Sequence, residues 1–118
     1  MTINFDQLDE ETKKKIQNLS ALSQSLEFLT QQKIQLETSL KETELAIENL
    51  TEATTDTIVY KNIGGVMVKS SRDKLLDEKK NLKVTLEMRL KTIDQKTERT
   101  KNSFETLQKS LQADLKNT

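Results

Sequence analysis

Cysteine, histidine and proline are all missing from this chain of 118 residues. Without cysteine there is no disulfide, no thiolate nucleophile and no sulfur-ligated metal. Without histidine the chain loses the commonest general acid–base and the commonest zinc ligand. Without proline, long helices meet no built-in breaker. Glycine occurs twice and aromatic residues four times, as three Phe and one Tyr. So few bulky apolar groups do not make the core of an ordinary compact domain. No apolar run approaches the roughly 18 residues that span a bilayer, so no membrane partner is expected. The N-terminus lacks the basic, apolar and small-residue pattern of a secretory signal, and a cytoplasmic, reducing location is expected.

What remains is rich in Leu, Lys, Glu and Thr, with about a third of the residues charged. That profile belongs to long helices or to disorder, and the spacing of the leucines decides between them. Leu19, Leu22, Leu26, Leu29, Lys33, Leu36, Leu40, Thr43, Ile47 and Leu50 alternate in steps of 3 and 4, and eight of the ten are apolar. Such a repeat is a coiled-coil seam. A second seam runs through Leu86, Leu90, Ile93, Thr97, Thr100, Phe104, Leu107 and Leu111, extended less regularly by Leu75, Leu76 and Leu82. The first helix is predicted over about 5–53, capped by Asn4, with Asp9/Lys13, Glu10/Lys14 and Glu11/Lys15 as i,i+4 pairs. The second is predicted over about 71–115, with Ser70 and Asp73 as a capping box.

Between them lies the one stretch that is not helical in pattern. Both glycines and the tyrosine fall there, in V-Y-K-N-I-G-G-V-M-V-K, Val59–Lys69. Two adjacent glycines accept φ > 0 at both positions of a two-residue turn, which predicts a β-hairpin over about 57–69. The turn pairs Ile63 with Val66 and Lys61 with Val68, so Val59, Ile63, Val66 and Val68 share one face. Ile58, Tyr60 and Met67 share the other. A lone two-stranded ribbon, apolar on both faces and open at both edges, needs completion by another chain.

The net charge of zero hides a split. Residues 1–56 hold 5 Lys/Arg against 11 Asp/Glu, and residues 57–118 hold 14 against 8. Two helices lying antiparallel would bring these halves together. A basic C-terminal half also suggests nucleic acid, but its lysines are spread around a helix without interleaved aromatics, so none is expected. The expected fold is therefore mainly α: an antiparallel two-helix coiled-coil hairpin in a single domain, 1–118, with a central β-hairpin. The chain termini should meet at the end remote from that hairpin. There Ile3, Phe5, Leu8 and Ile16 would join Phe104, Leu107, Leu111 and Leu115, as ordinary seam residues or as a contact surface on turns that open easily.

No catalytic constellation is present, and no metal or cofactor is expected. The carboxylates lie on solvated helix faces, and Gly64-Gly65 lacks the lysine and spacing of a phosphate-binding loop. Tyr60 reads as a packed strand aromatic.

The hairpin motif Val59–Lys69, followed by S-S-R-D-K-L-L-D-E (Ser70–Glu78) and L-E-M-R-L-K-T-I-D-Q-K-T-E-R (Leu86–Arg99), resembles the β-type subunits of the prefoldin family, most closely the archaeal ones. The resemblance covers nearly the whole chain. It implies a hexamer of two alpha-type and four beta-type subunits whose hairpins join into β-barrels that also hold Ile58, Val59, Tyr60, Ile63, Gly64, Gly65, Val66, Met67 and Val68. It further implies coiled-coil tips that hold non-native proteins without ATP and pass them to a group II chaperonin, with Phe5, Leu8, Leu107 and Leu111 among the client-contacting residues. The alternative is a structural or tethering coiled coil with specific folded partners.

Overall fold

The computed structural model describes residues 4–116. Its elements run as a single 3-10 turn, Phe5–Gln7, then helix α1, Glu10–Glu52, strands β1, Val59–Ile63, and β2, Val66–Ser70, and helix α2, Arg72–Lys116. The chain falls into two compact units. One comprises Met1–Gln32 with Ile93–Thr118, the other Lys33–Thr92. Mainly helical with a central antiparallel hairpin, the architecture is the expected one.

The helix starts differ from the expectation in an instructive way. Asn4 does cap a helical turn, its side chain accepting from the Asp6 backbone N–H at 3.1 Å, but that turn is 3-10 and stops at Leu8. The α-helix proper starts after Asp9, whose carboxylate accepts from the Thr12 backbone N–H at 2.7 Å. The Thr12 side chain, together with this backbone bond, holds the Asp9 carboxyl below its usual range. The three expected i,i+4 pairs give way accordingly. Lys13 instead meets Glu10 one turn back at 3.4 Å, and Lys15 reaches across to α2. At α2 the cap is Ser71, not Ser70. The Ser71 hydroxyl accepts from the Lys74 backbone N–H at 3.2 Å, while Ser70 is used as the last residue of β2. Pairing with Val59 keeps Ser70 extended, so the capping role moves one residue on.

Both seams are where the spacing puts them. Every position from Leu19 to Leu50 in the first seam, and from Leu86 to Leu111 in the second, is buried or half-buried. The polar positions are accommodated by the helix itself. Thr43 is buried because its hydroxyl donates to the Ser39 carbonyl at 2.7 Å, and Thr97 does the same to Ile93 at 2.8 Å. Leu82 is the exception: it is exposed. Stepping back from Leu86 by 3 and 4 reaches Lys83 and Lys79, whose stems are half-buried instead.

Within the unit of the chain ends, the helices are antiparallel. Lys15 Nζ donates to Asp114 Oδ2 at 2.6 Å and to Ser110 Oγ at 2.9 Å. Within Lys33–Thr92, Leu50, Leu75 and Leu76 form a buried cluster with Ile47 and Val59 packed against it. That cluster fixes where the hairpin leaves the helices.

Candidate functional site

The link from α1 to the hairpin contains neither glycine nor proline, so its turn is built from side chains. Thr54 Oγ1 donates to Asp56 Oδ1 at 2.6 Å and lies 3.0 Å from Thr57 Oγ1. The Thr54 hydrogen bond lowers the Asp56 carboxyl below its ordinary value. Strand β1 then pairs with β2 in the register the two-glycine turn dictates: Val59 with Ser70, Lys61 with Val68, and Ile63 with Val66. Gly64 and Gly65 have φ of 56° and 86°, which any Cβ would resist. Asn62 Oδ1 accepts from the Gly65 backbone N–H at 3.0 Å and tightens the turn.

Two ties hold the ribbon to the helices. Val59 is half-buried on the Leu50–Leu75–Leu76 cluster, and Lys61 Nζ donates to Glu78 Oε2 at 2.8 Å. The Lys61 hydrogen bond holds the Glu78 carboxyl below its usual range. Arg72 secures the other strand. At the first position of α2, its Nε donates to the Leu50 carbonyl at 2.7 Å and its Nη2 to the Thr51 carbonyl at 3.1 Å. Those carbonyls are among the four that every helix leaves unpaired at its C-terminus, so one arginine caps α1 from the start of α2.

Beyond these ties the ribbon is bare. Ile58, Tyr60, Ile63, Val66, Met67 and Val68 are all exposed, three on each face. Of the apolar residues expected to share a face, Val59 alone is partly covered. The sheet contains two strands, so each strand has one unpaired edge. The ribbon is thus held at its base, apolar on both sides and unpaired along both edges.

The chain ends present less. Phe5 is 42% exposed under the Lys13 ammonium, which lies 5.7 Å from its ring centroid. Leu8 and Leu111 are buried, and Phe104, Leu107 and Leu115 are half-buried. Ile3 lies outside the described residues. Sequence reasoning missed Arg72, Asn62, the Lys61–Glu78 pair and the Lys15–Asp114 pair. Of these, only Asn62 carried a local signal, as an Asx residue just before a glycine turn.

Among the described residues, no group of three or more metal-ligating carboxylates comes together, and no helix is long and apolar enough to cross a membrane.

Comparison with known proteins agrees with this geometry. A family model described as Prefoldin subunit matches residues 13–118. The prefoldin subunit beta of Methanothrix thermoacetophila is 35% identical over 109 residues, covering 92% of this chain and 91% of that protein. That of Methanosarcina acetivorans is 31% identical over 106 residues, with 90% and 91% covered. The crystal structure of the prefoldin beta subunit from Thermococcus strain KS-1 superposes with a TM-score of 0.79 at 26% identity, covering 89% of this chain and 92% of that one. With its paired helices, its single central hairpin and relatives matched over nearly their full lengths, the chain belongs to the prefoldin family of chaperone subunits, and its relatives are the beta-type ones.

Proposed function

We propose that this chain is the beta-type subunit of an ATP-independent holdase, four copies of which assemble with two alpha-type subunits in the cytoplasm. The observation that carries this reading is the bare hairpin: six exposed apolar side chains on a ribbon anchored by Val59, Lys61 and Arg72. Partner hairpins closing a β-barrel would remove both edges and cover the apolar side chains that face its interior.

The helix ends near the termini hold non-native proteins and pass them to a group II chaperonin. Phe5 is available as it stands. Leu8 and Leu111 become contacts when the terminal turns part, together with Ile3, Phe104, Leu107 and Leu115, and end turns open at small free-energy cost. Weak contacts repeated on several arms give avidity while each remains reversible. Membranes and nucleic acids are not partners in this reading.

Native mass spectrometry of the tagged chain from its own cells tests assembly, and suppression of aggregation of a denatured client tests holding. The expected species is a heterohexamer that keeps its stoichiometry but holds clients poorly once residues 1–8 and the last turns of α2 are removed. A homodimer or monomer with specific folded partners would replace this reading with a tethering coiled coil.

A further inference from the structure

Phe28 is the most exposed aromatic side chain described, at 64%, although it lies in the middle of α1, one residue before the buried Leu29. Ile34, Leu45, Val84 and Met88 are also turned outward, and single apolar side chains on a surface are ordinary. Phe28 is set apart by its surroundings. It stands between two open grooves of about 710 and 690 Å³, and Gln24 lines both with it.

The larger groove runs between the helices and is also lined by Ser25, Lys96, Arg99 and Thr100, with no carboxylate. Lys96 and Arg99 make no ion pair among the described residues, and neither stacks on the Phe28 ring. The second groove lies along α1 alone and includes Glu27. One apolar ring, two cations without an ion pair and the Gln24 and Ser25 side chains thus line a groove between two helices, while the Thr100 hydroxyl donates to the Lys96 carbonyl at 2.8 Å.

We propose that this groove is a polypeptide-binding site for extended acidic–apolar segments. An aliphatic or aromatic side chain of the segment lies on Phe28, its carboxylates pair with Arg99 and Lys96, Gln24 and Ser25 bond its backbone, and the Thr100 oxygen accepts from a backbone N–H. Arginine suits the carboxylate because its planar fork binds both oxygens. Charge complementarity selects the partner's sign: a basic segment would meet two cations with nothing to offset them. Single-stranded nucleic acid also combines rings with negative charge, but it needs a run of stacking residues, and this groove offers the single ring of Phe28. The site uses none of the hairpin or terminal residues, so it adds to client contact at the chain ends and does not depend on it.

Fluorescence anisotropy tests the proposal on the purified protein in its native assembly. The probes are short labelled peptides of alternating Leu and Glu, the same peptides with Lys for Glu, and oligo(U). The acidic peptide is expected to bind at least about tenfold tighter than the basic one, more weakly as salt rises. Phe28→Ser and, separately on the other helix, Arg99→Glu should each weaken it severalfold with the helical circular dichroism unchanged. Equal binding of the two peptides, tighter binding of oligo(U), or acidic binding that survives both substitutions would overturn the site. Aggregation suppression measured on the same variants separates the two readings. A protein that holds clients but does not discriminate the peptides refutes the groove alone. One that discriminates the peptides but holds no client refutes the holdase.

Discussion

Replacing Arg72 by methionine should loosen the hairpin from the helices while leaving both helices and the turn chemically intact. Methionine keeps an unbranched apolar stem and a good helix propensity, so the change isolates the guanidinium. That group donates to two backbone carbonyls at the end of α1, at 2.7 Å to Leu50 and 3.1 Å to Thr51, from a side chain only 17% exposed. A hydrogen bond from a charged donor contributes about 1.5–3 kcal/mol when its partner is left without water. The Leu50 carbonyl belongs to a residue in the buried cluster, and its bond falls in that range. Thr51 is exposed, so water replaces most of its bond. The Arg72–Asp73 contact, with Asp73 66% exposed, adds little.

The expected loss is about 2 kcal/mol, a fall in melting temperature on the order of 8 °C for a chain of this size. Arg72→Lys, with one compact donor for a planar fork, should recover part of it. Thermal unfolding followed by circular dichroism reads the stability, and native mass spectrometry at the same concentration reads the assembly. A melting temperature within about 2 °C of the parent for Arg72→Met would refute the cross-helix cap.

The turn glycines give a sharper outcome. Nothing lies within 4 Å of a Cβ built at Gly64 or Gly65, so a Gly64→Val, Gly65→Val chain suffers backbone strain alone. That strain is about 1–2 kcal/mol per position; helical content should survive while the oligomer is lost in native mass spectrometry, and an intact oligomer would contradict the turn's role. Leu86, the most buried of the described residues at 4% exposed, should cost about 2–4 kcal/mol as alanine, whereas Leu82→Ala at 39% should stay within about 0.5; equal costs in urea titration would mean the seam is misplaced. Two ion pairs contribute to the pH limbs, beside the depressed Asp9 and Asp56 carboxyls on the acid side. The depressed Glu78 carboxyl contributes stability above its unfolded value of 4.5 and loses it as pH falls through the folded value, so Lys61→Met should flatten the acid limb. Lys15 is raised above 10.5 by the hydrogen bond to Asp114, so its contribution is complete below 10.5 and disappears as pH rises through the folded value. Lys15→Met should therefore flatten the alkaline limb, and parent-like profiles for both variants would show these pairs to be idle.

The residues that were legible in sequence are those whose structural role depends on spacing. A 3–4 repeat fixes the face of a helix irrespective of what packs there, and two adjacent glycines fix a turn and with it the whole register of β1 and β2. Leu82 shows where that logic ends. Read as a leucine it extends the seam, but read by its step from Leu86 it lies off it, and the lysine stems of positions 79 and 83 take the inner places. Arg72 was illegible for a different reason. Its partners are backbone carbonyls, which every residue has, so no feature of residues 50 and 51 announces them. The shift of each helix start by one or a few residues has the same origin: Asn4, Asp9, Ser70 and Ser71 are all competent caps, and strand pairing or a preceding 3-10 turn chooses among them.

Assembly follows from the shortage of burial within a single chain. No described side chain is fully buried, and the best-covered leucines keep 4–9% of their surface. The hairpin, by contrast, holds Ile58, Tyr60, Ile63, Val66, Met67 and Val68 at 43–62% exposed. Covering what remains open is worth about 1 kcal/mol for each side chain and therefore about 6 kcal/mol per chain, taking half of the full-burial value. That matches the lower end of the roughly 5–15 kcal/mol that stabilises a whole domain. Association would then add to the stability of each folded chain, and the unfolding midpoint is expected to rise with protein concentration. Urea melts over about a hundredfold concentration range read this directly, as a midpoint moving upward throughout. A midpoint fixed across that range would mean that the two-helix seam suffices alone and that the bare hairpin contributes nothing to stability.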